Sequence, residues 1–240
     1  MNDSKKAIVV GATSGIGEAL AIELANNGFE VGLTGRRQNL LDELDRRIQT
    51  RTYARKMDIR DAEAAPQILN ELVREMNGAD VIVINSGVLY RNGSWDELQA
   101  MINTNVTGFV AVAEAALEYF TNKGKGHLVG ISSIAGLRGA KGSPVYNASK
   151  AFISNYMEGL RHKIATSGMP IHVTDIRPGF VRTQMIEGRP RLFWVSSPEK
   201  AARQIFSAIR NKKKRVYITR RWRLVAWLAR IVPDWIYNKW

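Results

Sequence analysis

Ala7-Ile8-Val9-Val10-Gly11-Ala12-Thr13-Ser14-Gly15-Ile16-Gly17 joins a short apolar run to an amphipathic pattern over residues 18–27. Strand, glycine turn and helix in that order make a phosphate cradle. The glycines let backbone N–H groups approach an anion with no Cβ in the way. The helix N-terminus adds unsatisfied donors and a favourable dipole. The spacing is Gly-x-x-x-Gly-x-Gly, not the Gly-x-Gly-x-x-Gly of the commonest dinucleotide fingerprint. On this stretch alone, a plain strand-to-helix joint is the competing reading.

Outward from it, apolar runs at 30–34, 51–57, 81–85, 127–132, 171–176 and 216–219 alternate with amphipathic stretches at 40–48, 64–76, 95–119, 146–166 and 198–211. This alternation predicts right-handed βαβ units: a Rossmann-type α/β fold with a doubly wound parallel sheet of about seven strands. In such a sheet ligands lie off the carboxyl ends of the strands. The chain has 240 residues, 45% apolar and 24% charged, which suits one domain with a full core. We place that dinucleotide-binding and catalytic domain at residues 1–220, with a tail at 221–240.

The chain has no cysteine, which excludes disulfides, thiolate zinc sites and a cysteine nucleophile. His127, His162 and His172 lack ligand spacing, so no metal is expected. Residues 1–6 run straight into the first strand without a signal-peptide pattern, and no uninterrupted apolar stretch is long enough to span a bilayer. A cytoplasmic location is expected, with peripheral membrane attachment through the tail as an open addition.

Tyr146 and Lys150 are four apart, on one face of a helix start. A phenol titrates near pH 10 when unperturbed, and a nearby ammonium lowers that value. The pair then exchanges a proton with a carbonyl or alcohol. The spacing alone is weak, because Tyr119 and Lys123 repeat it; that second pair reads as decoration at the end of a surface helix. Context separates them. Ser133, at the end of the run 127–132, stands thirteen residues before Tyr146, whereas Val106 holds that place before Tyr119.

Gly11-x-x-x-Gly15-x-Gly17, Asp58, Asn85-Ser86-Gly87, Asn105, Ser133, Tyr146-x-x-x-Lys150 and Pro178-Gly179-Phe180-Val181-Arg182-Thr183 occur in the order and at the spacings of the short-chain dehydrogenase/reductase family, which the chain resembles over roughly residues 5–220. The resemblance implies an enzyme in which Tyr146 is the acid/base. It makes Lys150 the residue that holds the nicotinamide ribose and lowers the Tyr146 pKa. Ser133 would hydrogen-bond the substrate oxygen, and Asn105 would position a water that relays protons toward Lys150. It places the cofactor against Gly11, Ser14, Gly15, Ile16, Gly17, Arg36, Arg37, Asp58, Ile59, Asn85, Ser86, Gly87, Tyr146, Lys150, Pro178, Gly179, Val181 and Thr183. One departure is Ile84, where the family usually has a first Asn before Asn85.

Cofactor preference is legible at the end of the second strand. NAD-preferring members carry Asp there, to accept from the ribose hydroxyls. Gly35 holds that position here, followed by Arg36 and Arg37, and two guanidiniums suit a 2′-phosphate. NADP(H) is therefore the expected cofactor, and a carbonyl or alcohol the expected substrate. The segment 184–197, which the resemblance makes the substrate lid, mixes Met185, Ile186, Leu192, Phe193 and Trp194 with Arg189 and Arg191, and Arg182 precedes it. That mixture suits an apolar substrate with an anionic group, such as a 3-oxoacyl thioester or a lipid-linked sugar.

The net charge is +13, and from Arg203 onward eleven Lys or Arg stand against Asp234 alone. The basic character therefore belongs to the C-terminal end. There, Leu224, Trp227, Leu228 and Ile231 share one helical face, edged by Arg223 and Arg230. So wide an apolar arc must be buried, either on the protein itself, where the helix closes over the substrate cleft or forms a subunit contact with Trp235 and Trp240 as anchors, or on an anionic membrane surface. Family members commonly oligomerise, so a homodimer or homotetramer is expected. Nucleic acid is disfavoured, since the bases occur among apolar neighbours with no recognition motif. The rival to an enzyme is a non-catalytic NADPH-binding protein that acts through this tail at a membrane.

Overall fold

The computed structural model describes residues 4–188, 192–233 and 235. Seven strands form one parallel sheet: β1 (Lys6–Val10), β2 (Glu30–Gly35), β3 (Thr52–Lys56), β4 (Val81–Ile84), β5 (Gly126–Ile131), β6 (Ile171–Pro178) and β7 (Arg215–Ile218). Their order is β3-β2-β1-β4-β5-β6-β7. Val81-Ile82-Val83-Ile84 is buried throughout, as a strand covered on both faces must be.

Two apolar layers cover the sheet. On one face, α1 (Gly15–Asn26), α2 (Gln38–Arg47) and α7 (Pro198–Arg210) contribute Leu20, Leu24, Leu41, Leu44, Ile205 and Ile209. On the other, α3 (Ala64–Glu75), α5 (Phe109–Lys123) and α6 (Pro144–Ala165) contribute Leu69, Leu72, Phe109, Phe120, Ile153 and Met157. The doubly wound single domain expected from the alternation is the fold observed.

The pattern read as one helix over 95–119 is more complex. It comprises α4 (Trp95–Ile102), a π-helical turn Asn103–Gly108, and α5, which continues to Lys123. Ser94 and Glu97 form a reciprocal capping box at its start. The run Trp95–Lys123 holds an 18-residue stretch apolar enough to cross a membrane, but half of that stretch is buried in the fold. Tyr119 and Lys123 are not surface decoration. The Tyr119 hydroxyl accepts from Ala79 N at 2.9 Å, and Lys123 donates to Ala79 O and pairs with Asp80 at 3.0 Å. The pair pins the end of α5 to the turn before β4.

The last helix, α8 (Trp222–Ile231), follows β7 and rests on the carboxyl end of the sheet. Trp222 is buried against Phe180, with ring centroids 5.3 Å apart at right angles. Arg138 donates to the carbonyls of Ala229 and Val232, satisfying the helix end with a cation where its dipole favours one. Gly179 makes this seat: a Cβ there would lie 2.1 Å from Trp222 Nε1. Gly179→Ala should displace Trp222 and loosen α8. Overpacking of this kind costs about 1–3 kcal/mol, or roughly 2–12 °C in Tm, which a thermal melt would read.

Candidate active site

β1 is flanked by β2 and β4, so the winding reverses there and leaves a crevice at the strand ends. A cleft of about 730 Å³ occupies it. Its walls include Gly11, Ser14, Gly15 and Ile16 of the glycine turn; Arg36, Arg37, Asp58 and Ile59 after β2 and β3; and Asn85, Ser86 and Gly87 after β4. They also include Ser133, Tyr146 and Lys150, and Pro178, Gly179, Val181 and Thr183 after β6. Two expected residues are absent from the walls. Gly17 and Asn105 both lie behind them.

Gly17 is there because nothing larger fits. A Cβ on it would stand 2.0 Å from Gly11 O and 2.5 Å from Asn85 Nδ2. Asn85 in turn donates to Gly11 O at 2.8 Å, locking the end of β4 to the turn. The first helical residue is Gly15, and the Ser14 side chain makes no cap bond, so the α1 N-terminus opens toward the cleft. This is the arrangement that receives a phosphate. Arg37 donates to Thr13 Oγ1 at 2.9 Å and Ser14 Oγ at 3.0 Å, so its guanidinium lies against the turn. Arg36 is exposed at the rim. Burial pushes the Asp58 carboxyl up, but hydrogen bonds from Arg60 outweigh it and hold the pKa below the usual range.

Ser133 stands just beyond β5, in extended backbone that caps a 3₁₀ turn, Ile134–Leu137. Its Oγ accepts from Ala135 N at 3.1 Å and reaches Pro178 O at 3.4 Å. Pro144 starts α6, which puts Tyr146 in the first turn and Lys150 one turn on, on the same side. The Tyr146 hydroxyl meets Met185 Sδ at 3.6 Å, under the lid. Lys150 Nζ lies 5.8 Å from the Tyr146 ring centroid and donates to Ile131 O at 3.0 Å.

Burial pushes the Lys150 pKa down to about 8, against the partial opposition of Asp175. It is still mainly a cation at neutral pH. In the unfolded chain the same group holds its proton to about pH 10.4. Between these values the unfolded state binds more protons, so stability from this group rises with pH. Below pH 8 its burial penalty is present in full. Wild type should therefore gain stability relative to Lys150→Met between pH 8 and pH 10, measured by denaturant unfolding across that range.

Asn105 sits in the π turn, fully buried. It accepts from Val88 N and donates to Val88 O and Ser149 Oγ. Both its amide hydrogens are used on the wall behind the cleft. Sequence reasoning missed Asn147, which donates to Ala135 O and accepts from Ala140 N, bracing the loop before α6. Only the position of Asn147 beside Tyr146 pointed to it. Val225 and Ala229 of α8 also line the cleft, in keeping with the expectation that the tail helix closes over it. Among the described residues no three His, Asp or Glu cluster to hold a metal. Arg189, Arg191, Asp234 and Trp240 lie outside the described residues, as does the side chain of Arg230.

Residues 5–191 match the short chain dehydrogenase family. An uncharacterized oxidoreductase of Myxococcus xanthus is 38% identical over 188 residues, covering 75% of this chain and 74% of its own. The NADP-dependent 3-hydroxy acid dehydrogenase YdfG of Shigella flexneri is 34% identical over 179 residues, covering 72% and 71%. Among solved structures, a closed serine dehydrogenase complexed with NADP+ superposes with a TM-score of 0.77 at 29% identity, covering 85% of this chain and 88% of that one. A short-chain dehydrogenase/reductase from Burkholderia phymatum in complex with NAD has a TM-score of 0.81 at 19% identity over 90% and 89%, a likeness of fold alone.

Proposed function

The chain belongs to the short-chain dehydrogenase family of oxidoreductases, and from that premise we propose that it moves a hydride between NADP(H) and a small carbonyl or alcohol, with Tyr146 as the acid/base. The observation that carries this reading is the meeting of the glycine turn with Ser133, Tyr146 and Lys150 around one cleft. The Gly11–Gly17 cradle fits a pyrophosphate, and Gly35, Arg36 and Arg37 fit a 2′-phosphate. When bound, the nicotinamide supplies or accepts the hydride at the carbonyl carbon.

In the reducing direction, Tyr146 donates its proton to the carbonyl oxygen as charge develops there. Ser133 donates a hydrogen bond to the same oxygen and orients it. The Lys150 ammonium stabilises the tyrosinate left behind. Asn105 contributes by fixing Val88 and the start of the substrate wall, and its place in a water relay is part of the same proposal. Residues 1–220 carry the chemistry, and α8 of the tail adds Val225 and Ala229 to the cleft lining. A homodimer or homotetramer fits the family.

The likeness to an NADP-dependent 3-hydroxy acid dehydrogenase supports a substrate bearing an anion. Here that anion has Arg91 at hand, on the wall formed after β4. A screen of 3-oxoacyl thioesters, steroids, sugars and quinones for NADPH oxidation tests the function. Turnover of at least one class supports it. A protein that binds NADPH yet turns over none of them favours the binding-only alternative.

A further inference from the structure

α8 is apolar on two sides. Its inner side is built into the domain: Trp222 and Ala226 are buried, and Val225 and Ala229 line the cleft. Its outer side carries Leu224, Trp227, Leu228 and Ile231, 64%, 62%, 48% and 57% exposed. The face whose width demands burial is thus the one left uncovered. Phe193 and Trp194, also exposed, pack on Trp222 at 5.1 and 5.8 Å between centroids, Trp194 edge-on, and extend the apolar surface beyond α8. Apolar patches of this extent mark interaction surfaces.

The charges around the patch choose the partner. Arg220, Arg221 and Arg223 are exposed at its edge, and the Arg221 guanidinium lies 5.2 Å above the Trp194 ring. From Asn211 to Pro233 there is no Asp or Glu. A second copy docked face to face about a twofold axis would bring these arginines together with no acid in that stretch to offset them. Lys212, Lys213 and Lys214 stand at the amino end of β7, whereas α8 follows its carboxyl end, so the lysines are not part of this rim.

We propose that the outer face of α8, with Phe193 and Trp194 beside it, binds the surface of an anionic lipid bilayer. Leu and Trp side chains enter the headgroup boundary, and Arg220 and Arg223 meet the phosphates. This goes beyond the redox reading and does not depend on it, because lipid binding is measured without turnover.

The test is flotation of the full-length protein with phosphatidylglycerol vesicles and, separately, phosphatidylcholine vesicles at low salt. Removing α8 would strip Trp222 from the domain, so point variants on exposed positions are used: Leu224→Ser with Trp227→Ser, and Arg220→Glu with Arg223→Glu. NADPH titration and thermal melting establish that each is folded. The expected result is binding to phosphatidylglycerol vesicles, at least about tenfold weaker to phosphatidylcholine, and weakened about tenfold or more by either variant. Full-length protein that stays with the unbound fraction, or binding that both folded variants retain, overturns the proposal. So does a concentration-dependent dimer that Leu224→Ser with Trp227→Ser dissolves while wild type ignores vesicles; the face is then a subunit contact.

Discussion

Tyr146→Phe should keep NADPH bound and stop turnover. The substitution removes one hydroxyl and leaves the ring, which stands in the first turn of α6 beneath Met185. Positioned proton transfer contributes about 10²–10⁴-fold, and kcat should fall by that factor while the cofactor Kd is unchanged. Lys150→Ala should behave differently. It removes a buried cation and the bond to Ile131 O, so both cofactor affinity and kcat should fall. Fluorescence titration beside steady-state kinetics separates the two patterns. A Tyr146→Phe enzyme that keeps most of its activity would remove Tyr146 from the mechanism.

The second large effect concerns the cofactor's phosphate. Replacing Arg36 and Arg37 with Ala should weaken NADPH far more than NADH. Each charge-assisted bond lost is worth about 1.5–3 kcal/mol, so the pair should cost about 10²- to 10⁴-fold. The structure adds a control. Arg37 also holds Thr13 and Ser14, so Arg37→Ala disturbs the turn that cradles the shared pyrophosphate. Arg36 has no such duty in the turn, and Arg36→Ala is the cleaner test of discrimination. If NADH weakens in parallel with NADPH in the Arg36 variant, the 2′-phosphate assignment fails.

The strands were legible because parallel strands buried on both faces are written as continuous apolar runs, as in Val81–Ile84. The glycine turn was legible because Gly17 admits no side chain between Gly11 O and Asn85. What escaped were features set by packing between distant segments. Nothing in the spacing of Asn103–Gly108 distinguishes a π turn from an α-helix. Tyr119 and Lys123 gained their anchoring role only when α5 met the turn at Ala79. Periodicity likewise identified the apolar arc of α8 but not which side would turn inward. That was decided by Trp222 finding the space above Gly179 and by Arg138 capping the helix end. Asn105 shows the same limit: the motif named the residue, and the fold sets its amide on Val88 and Ser149, behind the cleft rather than on its wall.

The most direct measurement follows the hydride itself. Wild-type protein is incubated with NADPH carrying deuterium at the transferring C4 position and a carbonyl compound that it consumes, and the alcohol is examined by mass spectrometry. The expected result is one deuterium on the carbinol carbon of the product, formed by wild type and at least about 10²-fold more slowly by Tyr146→Phe. Product lacking that deuterium, or equal labelled product from the variant, would contradict it.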